Sequence, residues 1–415
     1  MDTIEPFKLE RFFARHEFSA RRLLCSSDCE TRSLGEILAL EPGSEKLFSD
    51  FRLGYTETRG APALREAIAS LYAAPPAEAH GDPNIAAGSV VEDIGDGTRG
   101  GTGHGTEGGL SPECVFVHAG AEEAILNLCL ALVMPGDHVI VNRPAYQSLE
   151  ALPRWRGAAV SHWDLRDEGS RWRFDPDDLA ALLSAKTRMV ILNAPHNPTG
   201  AIPTREEFGR VIELCRKAGA FLLVDEVYRG LEREKESILP PACLAYENGI
   251  SLNVLSKTAG LAGLRIGWIA TRRSDVLDAV AVVKDYNSIC SSGPSEFLAG
   301  IAIRHFNRLA ERNLALCAAN LALFEAFAAR HPDFVALTPP QGSSIAFPRL
   351  AGRAMANFGG DAEVMALALL ADSGVLLLPG SLYSHERRYW RLGYGRADFA
   401  QGLRELEAWV EKRGY

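Results

Sequence analysis

Between Cys114 and Cys290, short runs rich in aliphatic and β-branched residues alternate with amphipathic stretches of helical length. The runs are VFVHAG, HVIVN, AAVSHWDL, RMVILN, AFLLVDEV, SLNVLS and RIGWIAT, and AEEAILNLCLALV is the first helical stretch between them. Parallel neighbours need a long crossover where antiparallel ones need only a hairpin, so the alternation predicts an α/β fold with a mostly parallel central sheet. The helix after NPTG is the sharpest element: Thr204 and Glu207 form a capping box, Phe208, Val211, Ile212 and Cys215 an apolar stripe, and Gly219 a stop. From Pro294 the pattern changes to helices (EFLAGIAIRHF, NLALFEAFAARH), short strands (SSIAFPRL, GVLLLPG, YWRLGYG) and a closing helix over 403–410, which reads as a smaller α+β unit. The expected division is a large domain over 51–293, a small domain over 294–415, and an N-terminal segment over 1–50 that joins the small domain. A Gly-dense stretch at about 78–110 is too poor in apolar residues to fold alone and lacks the tight strand-to-helix turn of a phosphate loop, so it reads as a surface insertion.

With 415 residues, 47% of them apolar and 23% charged, the chain can bury a large core. A net charge of −9 supplies no basic field for a phosphodiester backbone, which argues against nucleic acid as a partner. No apolar run approaches the roughly 18 residues of a membrane span, and the first residues lack a signal-peptide core, so a cytoplasmic protein acting on small molecules is expected. Cysteines inside apolar runs, such as Cys129 and Cys215, read as buried hydrophobes in a reducing compartment. Cys25 and Cys29, spaced as CSSDC, do not follow a zinc pattern and no histidine pair accompanies them, so no metal is expected.

Distinctive polar residues fall where the strands end: Gly120, Tyr146, Asn197, Asp225 and Lys257. Ligands of open α/β sheets bind at the carboxyl ends of the strands, so one pocket can collect them all. The densest stretch, NVLSKTAGLAGLRIGWIA, frames Ser256, Lys257 and Arg265 with Val254, Leu255, Leu264 and Ile266. An amine attacks a carbonyl only when deprotonated, and desolvation favours that state, so Lys257 suits a covalent bond to an aldehyde. Ser256 and Arg265 suit a phosphate. Taken by themselves these residues also read as surface groups at a strand end; the rest of the chain tips the balance toward pyridoxal 5′-phosphate.

That cofactor makes further demands, and each has a candidate. Its pyridine nitrogen needs a buried carboxylate to stay protonated, and Asp225 closes AFLLVDEV, where it could also cap the next segment. Its phenolic oxygen needs donors, which Asn197 and Tyr228 offer, although NPTG alone could be a turn. Its phosphate needs backbone N–H groups, and Gly120, Ala121 and Glu122 pass from strand to helix. Tyr146 suits ring stacking or ordinary packing. Arg391 suits a substrate carboxylate, or a surface position.

The segments LGYTETRGAPALREAIASLY, HAGAEEAI, RPAY, NAPHNPTG, DEVYRG, SKTAGLAGLRIGW, GVLLLPGSLY and WRLGYG follow one another in the order found in a known family. In them the chain resembles the fold-type I pyridoxal-phosphate enzymes, specifically the class I/II aminotransferases, over essentially its whole length. The resemblance implies an aspartate aminotransferase-like fold and transfer of an amino group from an α-amino acid to a keto acid. By motif, it implies that Lys257 bonds to the cofactor and shuttles the proton, Asp225 pairs with the ring nitrogen, and Asn197 and Tyr228 bind the phenolic oxygen. Tyr146 would stack on the ring, while Ser256, Arg265 and the N–H groups of Ala121 and Glu122 would hold the phosphate. Arg391, with Asn197, would grip the substrate carboxylate, and Tyr55 would reach the phosphate of a neighbouring subunit in a homodimer with shared active sites.

Within the family, RLLCSSDCETRSLGEILALEP and KDYNSICSSGPSEF are similar to the branch containing capreomycidine synthase. That similarity implies an alternative outcome: elimination, replacement or cyclisation at Cβ or Cγ. Ser26, Ser27, Asp28 and Glu30 stand where many members carry an apolar, Gly/Pro-rich strand. Asp28 or Glu30 either lines the pocket and selects a polar or cationic side chain, or belongs to a solvated turn or helix cap before SLGEILAL. A third reading, a cofactor-binding transcription regulator, calls for a DNA-binding domain, and no helix-turn-helix or basic surface precedes Tyr55.

Overall fold

Seven strands form the central sheet: β1 Val115–His118, β2 His138–Arg143, β3 Ala159–Asp164, β4 Thr187–Asn193, β5 Phe221–Asp225, β6 Gly249–Val254 and β7 Gly267–Ala270. They belong to a computed structural model that describes residues 3–73 and 109–415. All but the last two residues of the expected 78–110 insertion lie outside the described residues. The sheet order is β1-β7-β6-β5-β4-β2-β3, and β7 alone runs against its neighbours. Among the described residues no helix is long and apolar enough to cross a membrane.

Side chains alternate across a strand, and here both faces are covered, which is why the strands read as continuous apolar runs. Val139, Val141, Ile191 and Leu223 pack with the helix Ala121–Leu132, whereas Ile140, Val190, Leu192, Leu222 and Val224 pack with the helix Arg205–Ala218. The second helix starts and stops as expected: Thr204 and Glu207 form the reciprocal capping box, and Gly219 ends it with φ 65°. Register places Asn193 beside Asp225, Asp225 beside Leu252, and both Val254 and His118 beside Gly267. The chemistry-bearing ends of β1, β4, β5 and β6 therefore share one edge.

The C-terminal core gathers around the helices Phe306–Arg330 and Phe399–Lys412 and a small antiparallel sheet of Ile345–Ala346, Trp390–Gly393 and Leu378–Pro379. The N-terminal segment is laced into it, with Arg22–Leu23 pairing parallel to Val375–Leu376 and Glu30 N–H donating to Gly395 O at 2.7 Å. A Cβ on Gly393 would overlap the Ser26 carbonyl, so glycine is required where these strands touch. The helix Gly293–Arg304 shares its core with the helix Pro62–Ser70 and with Val115, Val117 and Trp268 of the large sheet.

Replacing Thr204 by alanine removes half of the capping box and should lower unfolding stability by about 1 kcal/mol. Chemical denaturation followed by circular dichroism checks this, and an unchanged midpoint would contradict the role given to the cap.

Candidate active site

At the carboxyl edge of the sheet lies a cavity of about 280 Å³ whose walls include Ala121, Glu122, Tyr146, Asn197, Asp225, Ser256, Lys257 and Arg265. Residues separated by more than a hundred positions in the chain meet there because the strands that carry them end together. Gly120 and Tyr228 lie immediately outside this lining. Gly120 adjoins Arg265, and the Lys257 Nζ stands 6.0 Å from the centre of the Tyr228 ring.

One end of the cavity is built for an anion. Gly120, with φ 89°, opens the helix Ala121–Leu132, whose first N–H groups have no partner within the helix. Arg265 leans over this turn so closely that a Cβ on Gly120 would lie 2.5 Å from its Nη2. Glycine therefore lets backbone donors and a guanidinium converge on one point. Ser256 adds a buried hydroxyl to the same lining.

The middle holds groups whose burial sets their charge. Burial raises the Asp225 carboxyl to about 7, against the lowering pull of the Val227 N–H, which donates to it at 3.2 Å, and of the Lys257 charge. Burial likewise lowers the Lys257 ammonium, reinforced by the charges of Arg391 and Arg265 and opposed by those of Asp28 and Asp225. Lys257 Nζ donates to Ser27 Oγ at 2.7 Å. The Tyr228 hydroxyl is buried with no hydrogen-bond partner of ordinary geometry, and Tyr146 engages the buried Glu122 carboxyl. Glu122 also accepts from Ser148 Oγ at 3.2 Å, and burial raises its pKa.

Arg391 lies behind Asn197. Its side chain is 2% exposed, yet it forms no ion pair among the described residues. Nη1 donates to the Tyr383 hydroxyl and, at 3.5 Å, to Asn197 Oδ1, while Nη2 donates to the Cys25 carbonyl at 2.6 Å. Nε is buried without a partner. A guanidinium kept from water without a counter-charge is costly, so this position is prepared for an anion that the folded chain does not itself provide.

Asp28 and Glu30 part company. Asp28 lines the cavity and accepts from Arg396 Nη2 at 2.7 Å, whereas Glu30 faces away and accepts from the Ala397 N–H at 2.7 Å. The helix cap before SLGEILAL is Ser33, with Glu36 completing the box. Tyr55 is 90% exposed and does not reach the cavity of its own chain. Sequence reasoning missed Glu10, which lines the cavity from the helix Lys8–His16, and Ser27, Cys25 and Tyr383, which hold Lys257 and Arg391. Ser27 and Cys25 lie in the CSSDC segment and Tyr383 ends GVLLLPGSLY, but neither motif reveals these contacts; Glu10 has no local signal.

An anion cup, a buried carboxyl without a cation, a buried phenol without an acceptor and a desolvated lysine make up a donor set that fits pyridoxal 5′-phosphate. Fold and site together define a fold-type I pyridoxal-phosphate enzyme. Residues 104–401 match the profile of the family described as aminotransferase class I and II, and the chain belongs to that family. It is similar to capreomycidine synthase from Streptomyces vinaceus, with 29% identity over 397 residues, 95% of this chain and 91% of that protein. Among solved structures it is similar to a PLP-dependent aminotransferase from Streptococcus suis 89-1591, at TM-score 0.83 and 28% identity over 99% of both chains. It is equally similar to the PLP-dependent cyclase OrfR, at TM-score 0.83 and 27% identity over 100% of this chain and 99% of that one.

Gly120→Ala should push Arg265 out of the cup and weaken pyridoxal phosphate binding by about tenfold or more, the equivalent of one charge-assisted hydrogen bond. Fluorescence titration of the apoenzyme measures it, and wild-type affinity in a folded variant would contradict the packing argument.

Proposed function

We propose that this enzyme removes the Cα proton of an α-amino acid with a basic side chain and transfers the amino group to a keto acid. The observation that carries the reading is Arg391, a buried cation without a carboxylate, beside Asn197 at the edge of the cavity that holds Lys257. Its guanidinium binds and orients the substrate carboxylate. Bound pyridoxal phosphate supplies the electron sink that makes a Cα proton removable. Asp225 would hold a proton at the ring nitrogen, Asn197 and Tyr228 would donate to the phenolic oxygen, and Tyr146 would pack against the ring. The cup at Gly120, Ala121 and Glu122, with Ser256 and Arg265, would hold the phosphate. Lys257, kept below the usual lysine range by burial, is the base that takes the Cα proton and returns it.

The preference for a basic side chain is supported by the acidic groups at the cavity. Glu10 and Asp28 both line it, and Glu17 stands close enough to feel the charge of each. Glu10 has no ion-pair partner among the described residues, so a substrate cation would complete this end as a carboxylate completes Arg391.

A second outcome, elimination or cyclisation at Cβ or Cγ, is favoured by the similarity to capreomycidine synthase and to the cyclase OrfR over almost the entire chain. It begins with the same proton removal and needs no different placement of Lys257, Asp225 or Arg391.

We propose further that the enzyme is a cytoplasmic homodimer in which Tyr55 completes the neighbouring site. Support comes from the exposure of Leu53, Tyr55 and Tyr286, three large side chains left outside the core, and from eight free cysteines. The two-domain division is proposed with its boundary moved from residue 294 into the helix Phe306–Arg330, because Gly293–Arg304 packs with the large sheet.

The test mixes cofactor-loaded enzyme with single amino acids, without keto acid, and identifies products. A keto acid in one-to-one yield supports transfer; ammonia or a cyclic product supports the second outcome; no reaction with any amino acid would refute both. Arg391→Lys should lower kcat/KM about 10- to 100-fold by losing the planar two-point grip. Equal rates for basic and apolar amino acids in the wild type would refute the role given to Glu10 and Asp28.

A further inference from the structure

Beneath the phosphate cup lies a buried ion pair that none of the chemistry above uses. Glu123, the third residue of the helix Ala121–Leu132, reaches back to accept the backbone N–H of Ala119, the residue before Gly120. Its other close partners are His118, whose Nδ1 lies 3.7 Å from Oε2, and groups at the end of the helix Ser274–Asp285 and just after it. Lys284 Nζ lies 2.9 Å from Oε2 and 3.2 Å from Oε1, and Ser288 Oγ donates to Oε1. Lys284 also donates to Ser288 Oγ at 2.9 Å and is 0% exposed. Asn287 ties the same two helices again, donating to Asn127 Oδ1 at 2.7 Å.

Two consequences bear on the cup. Glu123 occupies the Ala119 N–H and so fixes the turn from which the Ala121 and Glu122 N–H groups point, a variant of the reciprocal cap. A carboxylate in the first helical turn also opposes a phosphate bound at that N-terminus, and the Lys284 ammonium cancels its charge at 2.9 Å. Burial works against the charge of Glu123, but the neighbouring His118 ring and hydrogen bonds from Ser288, the Ala119 N–H and Lys284 outweigh it and hold the carboxyl well below the usual range. Buried ion pairs contribute little net stability compared with apolar packing, so the pair calls for a reason other than folding.

We infer that Glu123, Lys284 and Ser288 are positioning residues for the cofactor phosphate, fixing the backbone of the cup and neutralising the charge under it. The inference rests on the assignment of the phosphate to the Gly120–Arg265 cup. A merely structural role would weaken every ligand alike; a positioning role acts only where the phosphate is present.

The experiment compares the affinity of apoenzyme for pyridoxal 5′-phosphate and for pyridoxal, which lacks the phosphate, by equilibrium dialysis. Variants are Glu123→Leu/Lys284→Leu, which replaces the pair with apolar groups, Ser288→Ala, and Arg265→Met as the reference for the cup. The double variant removes both charges together and frees the Ala119 N–H, so the loosened backbone of the cup should cost about tenfold in affinity for pyridoxal phosphate, with pyridoxal unchanged. If the double variant does not fold, Ser288→Ala carries the test, with a loss of about threefold confined to the phosphorylated ligand. Loss for both ligands alike, or no loss in a folded variant while Arg265→Met loses the phosphate preference, overturns the inference. Retention of that preference in Arg265→Met overturns the cup assignment, and the inference with it.

Discussion

A sheet covered on both faces leaves its strands only their ends on which to carry polar chemistry. In this molecule β1, β4, β5 and β6 finish at one edge, and β7, running the other way, begins there with Gly267 opposite Val254 and His118. His118 leads into the cup, Asn193 supports the turn that carries Asn197 by accepting its N–H at 2.5 Å, Asp225 closes β5, and Lys257 follows β6. The alignment comes from register within a packed sheet, so the reacting groups inherit the rigidity of the core.

The site is also a collection of incomplete charges. Asp225 is buried without a close cation, Lys257 is lowered by burial, and Arg391 is sealed among hydroxyl, amide and carbonyl groups. Each is costly to bury without a partner, and each would find its complement in a protonated pyridine, an aldehyde or a carboxylate. On the proposed roles, binding cofactor and substrate would relieve these costs, and the same desolvation would strengthen every contact made in the reaction.

Local pattern carried much of this. Strand ends, the Thr204–Glu207 box and the lysine, aspartate and arginine motifs each sit in a segment whose neighbours reveal its conformation, so they were legible residue by residue. What escaped depends on contacts between distant segments. Glu10 enters the cavity from a helix with no motif, Cys25 serves Arg391 through its backbone carbonyl, and Glu30, beside Asp28 in sequence, faces Ala397 instead. Composition changes at Pro294, whereas the apolar face of the helix Gly293–Arg304, which shares a core with the large sheet, has no signal in composition. Lys284 did leave a trace: it falls four residues after Val280 on the buried stripe of its helix, where a lysine needs a partner.

The whole proposed chemistry depends on Lys257 being the residue to which the cofactor bonds. Borohydride reduction of the pyridoxal-phosphate-loaded enzyme, followed by peptide mass spectrometry, tests it most directly. A single pyridoxyl label is expected on Lys257, lost in Lys257→Ala. A label on another lysine, or none in an enzyme that binds the cofactor, would contradict it.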